Sequence, residues 1–505
     1  MKTNSAFNFF VLGFVIIICE VAGKTNTQDF FPVATNLPNF ELNCGSFRDG
    51  TNYVVVYVSG QDIFGQRISP DGQFVGSPIS IVSGISNLVY ASTNIIFPAV
   101  AIAAGRTNTL IVWSDYGKSE TFITIFGRIW ANNLGPVGNV FPLTSSAENP
   151  FGFAHQVIKS AASDGDNFLV IWSDDFEYPA YNNIYGQFIS SNGKLLGSKI
   201  LLFSQFIYMR YRDLFLALVW GKTNYLMAYQ DNGTYSYDEE YHTFVRTISK
   251  SGNVSNPVPI NYTGSFFSYP LAIGFDGTNF LVVWNRSLSE KQGYVPEWNL
   301  CGRFISQDGT PLGTELTLVT EQGSIPSLGF DGNNYLLVWS YNGDVPGATD
   351  QTIHARFFDR SGRPVGPIFQ PFPSCGNFPP LFPLNGVFFD GTQYLLSATY
   401  GTFVKNNYGD VGLNGGDVYG RFFPRSAEPP EFISSMRSSG NFGAQIRLVP
   451  GVNYIVAVST NLTDWSNVGI LNSSETNLLN ISDWSIDRPY LFYRLIVGFT
   501  TGANF

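Results

Sequence analysis

The chain has 505 residues, of which 44% are hydrophobic and only 13% are charged, so it can bury one large core. Its formal net charge is −10, which argues against nucleic acid or an anionic membrane surface as a partner. Aromatic residues at 16% and 51 glycines are typical of an all-β protein with many turns.

The first 23 residues have the pattern of a secretory signal. Lys2 precedes an apolar run from Phe7 to Cys19, and Val21-Ala22-Gly23 suits a cleavage site. The apolar run is shorter than the roughly 18–20 residues that span a bilayer, so a membrane anchor is the weaker interpretation. We therefore expect residues 1–23 to be a signal peptide and the mature protein to be secreted and extracellular, without a membrane span.

A unit of four short apolar runs, strands A to D, then recurs seven times, and a tight A–B turn marks each copy. Successive turn glycines lie 55 to 60 residues apart. Asp-Gly is the commonest pair because tight hairpins need a residue that tolerates positive φ. The turns are Asp49-Gly50, Ala104-Gly105, Asp164-Gly165, Trp220-Gly221, Asp276-Gly277, Asp331-Gly332 and Asp390-Gly391.

Strands B and C carry their own markers, which indicate a scaffold role. Strand B ends in Trp or Tyr in six units, as expected for core residues, and strand C has Gln or Arg at one fixed position. Repetition makes hydrogen bonding between neighbouring units the preferred account of the Gln/Arg position. Its members are Gln66, Arg128, Gln187, Arg246, Arg303, Arg356 and Arg421. A period above 50 residues with four strands predicts an all-β fold, a seven-bladed β-propeller over residues 24–424.

We expect a strand from the start of the mature chain to close the ring. The seventh unit has only three strands before Pro429-Pro430, which is a poor start for a paired strand. Asp29-Phe30-Phe31-Pro32-Val33 resembles the outer strand of the second unit, Val140–Leu143. Residues 29–34 are therefore predicted to supply the missing outer strand.

Three cysteines follow the signal segment, and two of them could form a bridge. Cys44 and Cys375 belong to the first and seventh units, which are neighbours in a closed ring, so a disulfide is geometrically possible in an oxidising compartment. Three buried thiols are the alternative. No pair of cysteines has ligand spacing, so we expect no metal site.

The chain abandons the repeat after the seventh unit. Residues 425–437 predict a linker, and alternating apolar runs over residues 438–505 predict a small β-sandwich. The runs Ser459–Trp465 and Phe492–Leu495 resemble a C-terminal β-sandwich module of large secreted bacterial proteins. The propeller unit resembles a bacterial extracellular repeat of the form DGxNYLVVW…IYGQRIS. The resemblances imply the fold and an extracellular location, and they imply no known activity.

Function is expected where the units differ. The A–B and C–D turns are short and uniform, whereas the B–C loops are long and differ in every unit, as binding loops on a rigid scaffold do. Their acids and tyrosines suit sugars, because aromatic faces stack on the ring and carboxylates accept hydroxyl protons. The predicted ligand-binding residues are Tyr116, Asp174, Asp175, Tyr178, Tyr181, Tyr235, Tyr237, Asp238, His242 and Trp298. A solvated loop face with turn-forming acids is the alternative.

Two functions compete at this face. The preferred hypothesis is a monomeric binding protein, without a cofactor, that recognises an extracellular glycan or a surface protein. The alternative is a polysaccharide lyase or glycoside hydrolase, with His242 near Tyr235, Tyr237 or Asp238 as acid–base groups. Calcium binding is only weakly indicated, since no alternating Asp/Asn loop ends in Glu.

Asn-x-Ser/Thr sequons occur at seven positions, and they would be glycosylated only in a eukaryotic secretory route. They are Asn232, Asn253, Asn261, Asn285, Asn461, Asn472 and Asn480.

Overall fold

The computed structural model describes a chain of strands and turns, with no helix among the described residues. These residues are 20–21, 30–35, 41–85, 99–115, 122–144, 154–175, 181–206, 215–231, 242–261, 271–287, 298–320, 323–341, 352–372, 380–381, 386–405, 411–425, 431–438, 441–447, 453–459, 466–472, 478–482 and 492–498. Within these ranges no helix is long and apolar enough to cross a membrane.

Seven antiparallel blades, one for each sequence unit, make a seven-bladed β-propeller. Blades 2 and 3 are joined into one eight-stranded sheet, because residues 154–155 pair in parallel with residues 122–123. The chain starts with β1 (Glu20–Val21) and β2 (Phe30–Ala34). Blades 1 to 3 contain β3 (Glu41–Asp49), β4 (Asn52–Ser59), β5 (Asp62–Ile68), β6 (Ile79–Val82); β7 (Val100–Ala104), β8 (Asn108–Asp115), β9 (Phe122–Ala131), β10 (Gly135–Pro142); β11 (Ala154–Ser163), β12 (Asn167–Asp175), β13 (Tyr181–Ser190), β14 (Leu195–Phe206).

Blades 4 to 6 repeat the same meander order. Their strands are β15 (Leu216–Trp220), β16 (Asn224–Asp231), β17 (His242–Ser249), β18 (Val258–Pro259); β19 (Ala272–Phe275), β20 (Phe280–Ser287), β21 (Trp298–Ile305), β22 (Pro311–Val319); β23 (Gly323–Phe330), β24 (Tyr335–Tyr341), β25 (Thr352–Phe358), β26 (Pro364–Phe369). The sheet of blade 7 contains β27 (Pro380–Leu381), β28 (Val387–Phe389), β29 (Gln393–Lys405) and β30 (Val411–Pro424).

The N-terminal strand β2 completes blade 7. It pairs antiparallel with β30, with Phe31 opposite Gly420 and Pro32 opposite Tyr419. The ring of Phe31 lies so close that a Cβ on Gly420 would meet it at 2.5 Å, so a glycine is needed opposite this aromatic residue. Innermost strands of all seven blades line one axial cavity of about 250 Å³, as expected for a closed ring.

The core lies between the blades, because each radial sheet is covered on both faces. In β4 every residue after Asn52 is buried, whereas β10, at an outer edge, is mostly exposed. The strand B residues Trp113, Trp172, Trp284 and Trp339 are at most 1% exposed, which confirms their predicted core role. Replacing one such buried tryptophan with alanine would cost about 3–5 kcal/mol of unfolding free energy.

The A–B turns combine a backbone requirement with a side-chain cap. Gly332 has φ 96°, and the preceding Asp331 accepts the amide protons of Asn333 and Asn334 at 2.9 and 2.7 Å. The same Asp-capped geometry occurs at Asp164, Asp276 and Asp390. Asp-Gly is therefore selected by local chemistry at these turns.

Turn aspartates also join each blade to the next. The tyrosines near the start of strand B in blades 1, 4, 6 and 7 interact with the turn aspartate of the preceding blade. These pairs are Asp390 with Tyr53, Asp164 with Tyr225, Asp276 with Tyr335, and Asp331 with Tyr394. Burial raises the pKa of all four tyrosines, and the adjacent aspartate charge adds to this.

The exceptions to this pairing follow the same chemistry. Phe168 and Phe280 occupy the tyrosine position after Ala104 and Trp220, the two turns that lack aspartate. At the remaining junction Thr109 follows Asp49, and that carboxylate pairs instead with Arg67 at 2.5 Å. At each junction, a turn aspartate therefore lies next to a polar strand B residue of the following blade, and an apolar turn residue lies next to a phenylalanine.

The Gln/Arg position of strand C fulfils its predicted role only in part. Arg128 and Arg303 donate to Ile81 O and Ile260 O of the preceding blade at 2.5 and 3.1 Å. Arg421 likewise donates to Pro371 O, which precedes blade 7. In contrast, Gln66, Gln187 and Arg246 bond within their own blades. The prediction of interblade hydrogen bonds was wrong for these three. The two glutamines reach only their own blade, and Arg246 meets the preceding blade through the ring of Phe203, whose centre lies 5.8 Å from the Arg246 Cζ.

The chain divides into two compact units, residues 27–363 with 370–425, and residues 1–26 with 364–369 and 426–505. The C-terminal strands are β31 (Glu431–Ser438), β32 (Asn441–Arg447), β33 (Asn453–Ser459), β34 (Ser466–Asn472), β35 (Leu478–Ser482) and β36 (Phe492–Gly498). They form a sheet of order β31-β32-β35 and another of order β1-β36-β33-β34.

Two segments in this unit contain strand residues where the sequence analysis predicted a linker and a signal peptide. The predicted linker over 425–437 contains most of β31, which pairs with β32 from Glu431 onwards. Pro429-Pro430 therefore precedes the strand and does not interrupt it. Residues 20–21, within the predicted signal segment, pair in parallel with β36.

Candidate functional site

The B–C loops leave the blades from one face, which we call the loop face. Each strand A begins there, as β3 does at Glu41, and ends at its A–B turn on the opposite face. The ends of strand B and the starts of strand C therefore form the fixed floor beneath the variable loops.

We define the rim ring as a set of seven residues, one from each blade. Each of them lies two residues after the Trp, Tyr or Ala that marks the end of strand B in the repeat. Its members are Ser59, Asp115, Asp174, Asp231, Arg286, Tyr341 and Tyr400. Blades 2 to 4 thus carry aspartates, and blades 5 to 7 carry an arginine and two tyrosines. Unlike the scaffold positions, this position changes character around the ring.

In three blades the residue just before the rim-ring member forms a hydrogen bond to the next blade. Ser114 Oγ accepts the amide proton of Ile158 in the next blade at 2.8 Å. Thr399 Oγ1 accepts the amide proton of Asn43 at 2.8 Å across the blade 7–blade 1 junction. Asn285 Nδ2 donates to Gly323 O of blade 6. These interblade bonds hold the floor rigid beneath the loops.

Five predicted ligand-binding residues lie on this face at strand ends. Asp174 is 5% exposed, and Asp175 lies opposite Asn182. Tyr181 begins β13 and Trp298 begins β21. His242 is half-buried and lies opposite Asp231, an Asp–His neighbourhood that the sequence did not single out. The other predicted residues, Tyr116, Tyr178, Tyr235, Tyr237 and Asp238, lie outside the described residues.

Blades 5 and 6 bring together polar groups that sequence reasoning missed. Arg286 Nη1 pairs with Glu315 at 2.5 Å, and both side chains are mostly buried. The His354 ring stacks on Tyr341 with centroids 4.7 Å apart and planes 7° apart. Thr352 Oγ1 lies 3.1 Å from His354 Nε2. These contacts order the neutral and basic side of the rim ring.

Glu41 is the most perturbed carboxyl on the loop face. Its side chain is 1% exposed, and Oε1 accepts a hydrogen bond from Ser59 Oγ at 3.1 Å. Burial raises the pKa of Glu41 to about 7, Ser59 opposes the shift, and the charge of Asp417 adds to it. A carboxyl that titrates near neutrality can donate or accept a proton in catalysis. Glu41 is a single acid outside the repeat markers, so no pattern in the sequence pointed to it.

The cysteines of the propeller behave as core residues where they are described. Cys44 and Cys301 carry free, buried thiols, and burial raises the pKa of both. Cys44 Sγ donates to Leu42 O at 3.6 Å. Cys375 lies outside the described residues, and its bridge to Cys44 stays a prediction. Within the described ranges, no group of three or more His, Cys, Asp or Glu residues could hold a metal ion.

Comparison with known proteins gives distant structural likenesses only. No family model and no curated protein matches the chain. The GH93 α-L-arabinofuranosidase of Fusarium graminearum, solved with arabinobiose, aligns with TM-score 0.39 and 10% identity, covering 63% of this chain and 92% of that one. The β-propeller domain of the Trilobed protease from Pyrococcus furiosus aligns with TM-score 0.37 and 10% identity, covering 75% and 93%. An acylaminoacyl peptidase of Pyrococcus horikoshii gives 0.40 and 10%, covering 81% and 58%. Such distant likenesses carry no argument about function.

Proposed function

We propose that this chain is an extracellular binding protein whose loop face holds a neutral glycan. The rim ring is the observation that carries the proposal, because it is the repeated position whose chemistry changes from blade to blade. Its aspartates can accept sugar hydroxyl protons, and Tyr341 offers a half-buried aromatic face. Both groups lie on strands that interblade hydrogen bonds hold in place, so binding would cost little conformational entropy of the protein.

Charge narrows the class of glycan. Asp115, Asp174, Asp231 and Asp417 all belong to the loop face, and the whole chain has a net charge of −10. A uronate-rich or sulfated polymer would be repelled, whereas a neutral polysaccharide would not. A surface protein remains the alternative partner.

The test compares neutral and acidic polysaccharides on a glycan array. The variant that combines Asp115→Asn with Tyr341→Ala removes one carboxylate and one aromatic face. Asp308→Asn is the matched control, since Asp308 is exposed on a C–D hairpin of the opposite face. We expect the combined variant to weaken retention of a neutral glycan at least about tenfold, and the control to leave it unchanged. Selective retention of acidic polymers, or equal retention by all three proteins, would refute the proposal.

Hydrolysis of the bound glycan is a second candidate, and Glu41 is the observation that favours it. A carboxyl with a pKa of about 7, close to the carboxylate of Asp417, provides the acid and base that glycoside hydrolysis requires. A reducing-end assay should detect product from wild-type protein and none from Glu41→Gln, while glycan retention is unchanged. His242→Ala tests the alternative acid–base residue in the same assay. Absence of product from wild-type protein would leave binding as the function.

A further inference from the structure

The wall of the axial cavity is built from the innermost strands of the blades. Strands β3, β7, β15, β19 and β23 lie at the ends of their sheets, and each pairs with its strand B on one edge. The other edge presents backbone N–H and C=O groups to the cavity. Aliphatic side chains of lining residues, such as Leu218 and Ile273, pack in the cores between the blades. The wall is therefore mainly polar, although many of its residues are aliphatic.

Two side chains of blade 1 add polar atoms to this wall. Asn43 is 3% exposed and lines the cavity, and its Oδ1 accepts the amide proton of Gly45 at 3.0 Å. Its Nδ2 has no hydrogen-bond partner among the described residues. Ser46 Oγ, on the same wall, also lacks a partner within the described ranges. Buried polar groups normally have a partner, so these two atoms indicate a bound molecule that forms hydrogen bonds.

The charges of the wall favour a neutral ligand. None of the described lining residues is acidic. Lys159, which the pairing of β11 with β12 skips, is the one basic residue among them, and it already interacts with another residue of the chain. A cationic ligand would therefore find no carboxylate on the described wall, and an anionic ligand would have to compete for Lys159.

Size and hydrogen-bonding capacity narrow the ligand further. The cavity has a volume of about 250 Å³. A cavity of about 150 Å³ holds benzene, so this one has room for roughly ten heavy atoms. A hydroxyl group both donates and accepts a proton, so it can pair with the N–H and with the C=O groups of the strand edges. A five-carbon chain with a hydroxyl on every carbon meets both requirements.

We infer that the axial cavity binds one neutral polyol of pentitol size. Its hydroxyls lie along the edges of the innermost strands, where one accepts a hydrogen bond from Asn43 Nδ2 and another bonds to Ser46 Oγ. None of the lining residues belongs to the rim ring, so this inference stands or falls independently of the proposed glycan binding.

Ligand-observed NMR titrations of the full chain with xylitol test the inference. We expect saturable binding of one xylitol per chain with a Kd in the millimolar range, as befits so small a ligand. Pentane-1,5-diol has the same carbon chain without the three central hydroxyls. It should bind at least about tenfold more weakly, because the polar groups of the wall would lose their partners.

Two variants locate the bound xylitol. Ser46→Met extends a side chain into the cavity and should abolish xylitol binding. Ser77→Met is the matched control, since Ser77 is exposed in the same blade, and it should bind xylitol like the wild type. Asn43→Leu removes the unpaired donor at similar side-chain size and should weaken binding at least about fivefold.

A thermal melt verifies the fold of each variant. Ser46→Met decides the location if Asn43→Leu does not fold, and the comparison of xylitol with pentane-1,5-diol needs no variant. The inference is overturned if xylitol does not bind at hundred-millimolar concentration, or if pentane-1,5-diol binds as well as xylitol. It is equally overturned if folded Ser46→Met or folded Asn43→Leu binds xylitol like the wild type.

Discussion

The Asp390–Tyr53 contact, where blade 7 meets blade 1, offers the most quantitative test of how the ring is held. Tyr53 is fully buried, and its hydroxyl donates to Asp390 Oδ2. Arg48 Nη1 reaches the same oxygen at 2.5 Å, and Arg48 Cζ lies 4.6 Å from the centre of the Tyr53 ring. Tyr53→Phe removes one hydroxyl from this arrangement and leaves the packing of the ring intact.

The pKa of Asp390 sets the expected magnitude. Burial raises this pKa, but hydrogen bonds outweigh that effect and lower the pKa from 3.8 to about 2. The donors are the Tyr53 hydroxyl, the Gln393 backbone amide, and the hydroxyl and backbone amide of Thr392. A pKa lowered from 3.8 to about 2 corresponds to about 2 kcal/mol of extra stabilisation of the ionised carboxylate, shared among these donors. Tyr53 leads the groups that lower the pKa, so Tyr53→Phe should cost about 1–2 kcal/mol of unfolding free energy at pH 7.

The stability lost in Tyr53→Phe should depend on pH, because protonation of Asp390 is coupled to unfolding. A carboxyl whose folded-state pKa is depressed contributes stability above its unfolded pKa, near 3.9, and loses it as pH falls towards the folded value. The difference between wild type and Tyr53→Phe should therefore be full at about pH 7 and shrink between about pH 4 and pH 2. Urea unfolding at several pH values measures it, and a double-mutant cycle with Asp390→Asn isolates the pair.

The reciprocal change supplies a control at another junction. Phe280 follows a turn without aspartate, and its ring tip lies 2.6 Å from where a Cβ on Gly221 would be. Phe280→Tyr should therefore destabilise the propeller, because the new hydroxyl has neither room nor an aspartate partner. A Tyr53→Phe variant that unfolds at the wild-type urea concentration, or that loses as much stability at about pH 2 as at about pH 7, would contradict a stabilising hydrogen bond between Tyr53 and the Asp390 carboxylate.

Three further predictions concern the ring closure, Glu41 and the sequons. Deleting residues 24–36 removes β2, and we expect the melting temperature to fall by several degrees; an unchanged melting temperature would contradict the closure. Because burial and Asp417 raise the pKa of Glu41 above its unfolded value, stability should decline by up to about 3 kcal/mol as pH rises from about 4.5 to 7. Glu41→Gln should flatten that dependence in pH-dependent urea titrations, whereas an equal slope in the variant would exclude Glu41 as its source. In a eukaryotic secretory host, mass spectrometry of folded protein should find glycan at exposed Asn253 and none at the buried Asn261 and Asn285, whose side chains bond to Thr243 N and Gly323 O. A folded fraction carrying glycan at Asn285 would contradict the placement of that side chain.

The sequence predicted the seven-bladed fold correctly because the same turn and strand markers recur in all seven units. Each Asp-Gly turn, strand B tryptophan and short C–D hairpin is set by local chemistry, and seven copies make a weak signal plain. The same repetition misled at the Gln/Arg position. Gln66 and Arg303 occupy equivalent places, yet only the longer side chain reaches the neighbouring blade.

The candidate site was harder to predict, because it depends on residues far apart in the chain. Asp231 and His242 are separated by a whole loop and meet only through strand pairing. Glu41 acquires its raised pKa from burial and from Asp417, which lies at the other end of the propeller sequence. The predicted tyrosines of the loops lie outside the described residues, and their role stays a prediction.

By itself, the sequence determined the number of blades, the strand order and the face on which variable loops lie, since periodicity and turn chemistry are local properties. Only the tertiary structure decided which polar groups meet across blade junctions and inside the axial cavity. The bulge at Lys159 illustrates the reason. One extra residue in a strand changes the direction of its side chains, and the bulge becomes visible only when the strand is paired with its neighbour. Charges and pKa values follow from such encounters, so the chemistry of this protein is a property of the closed ring.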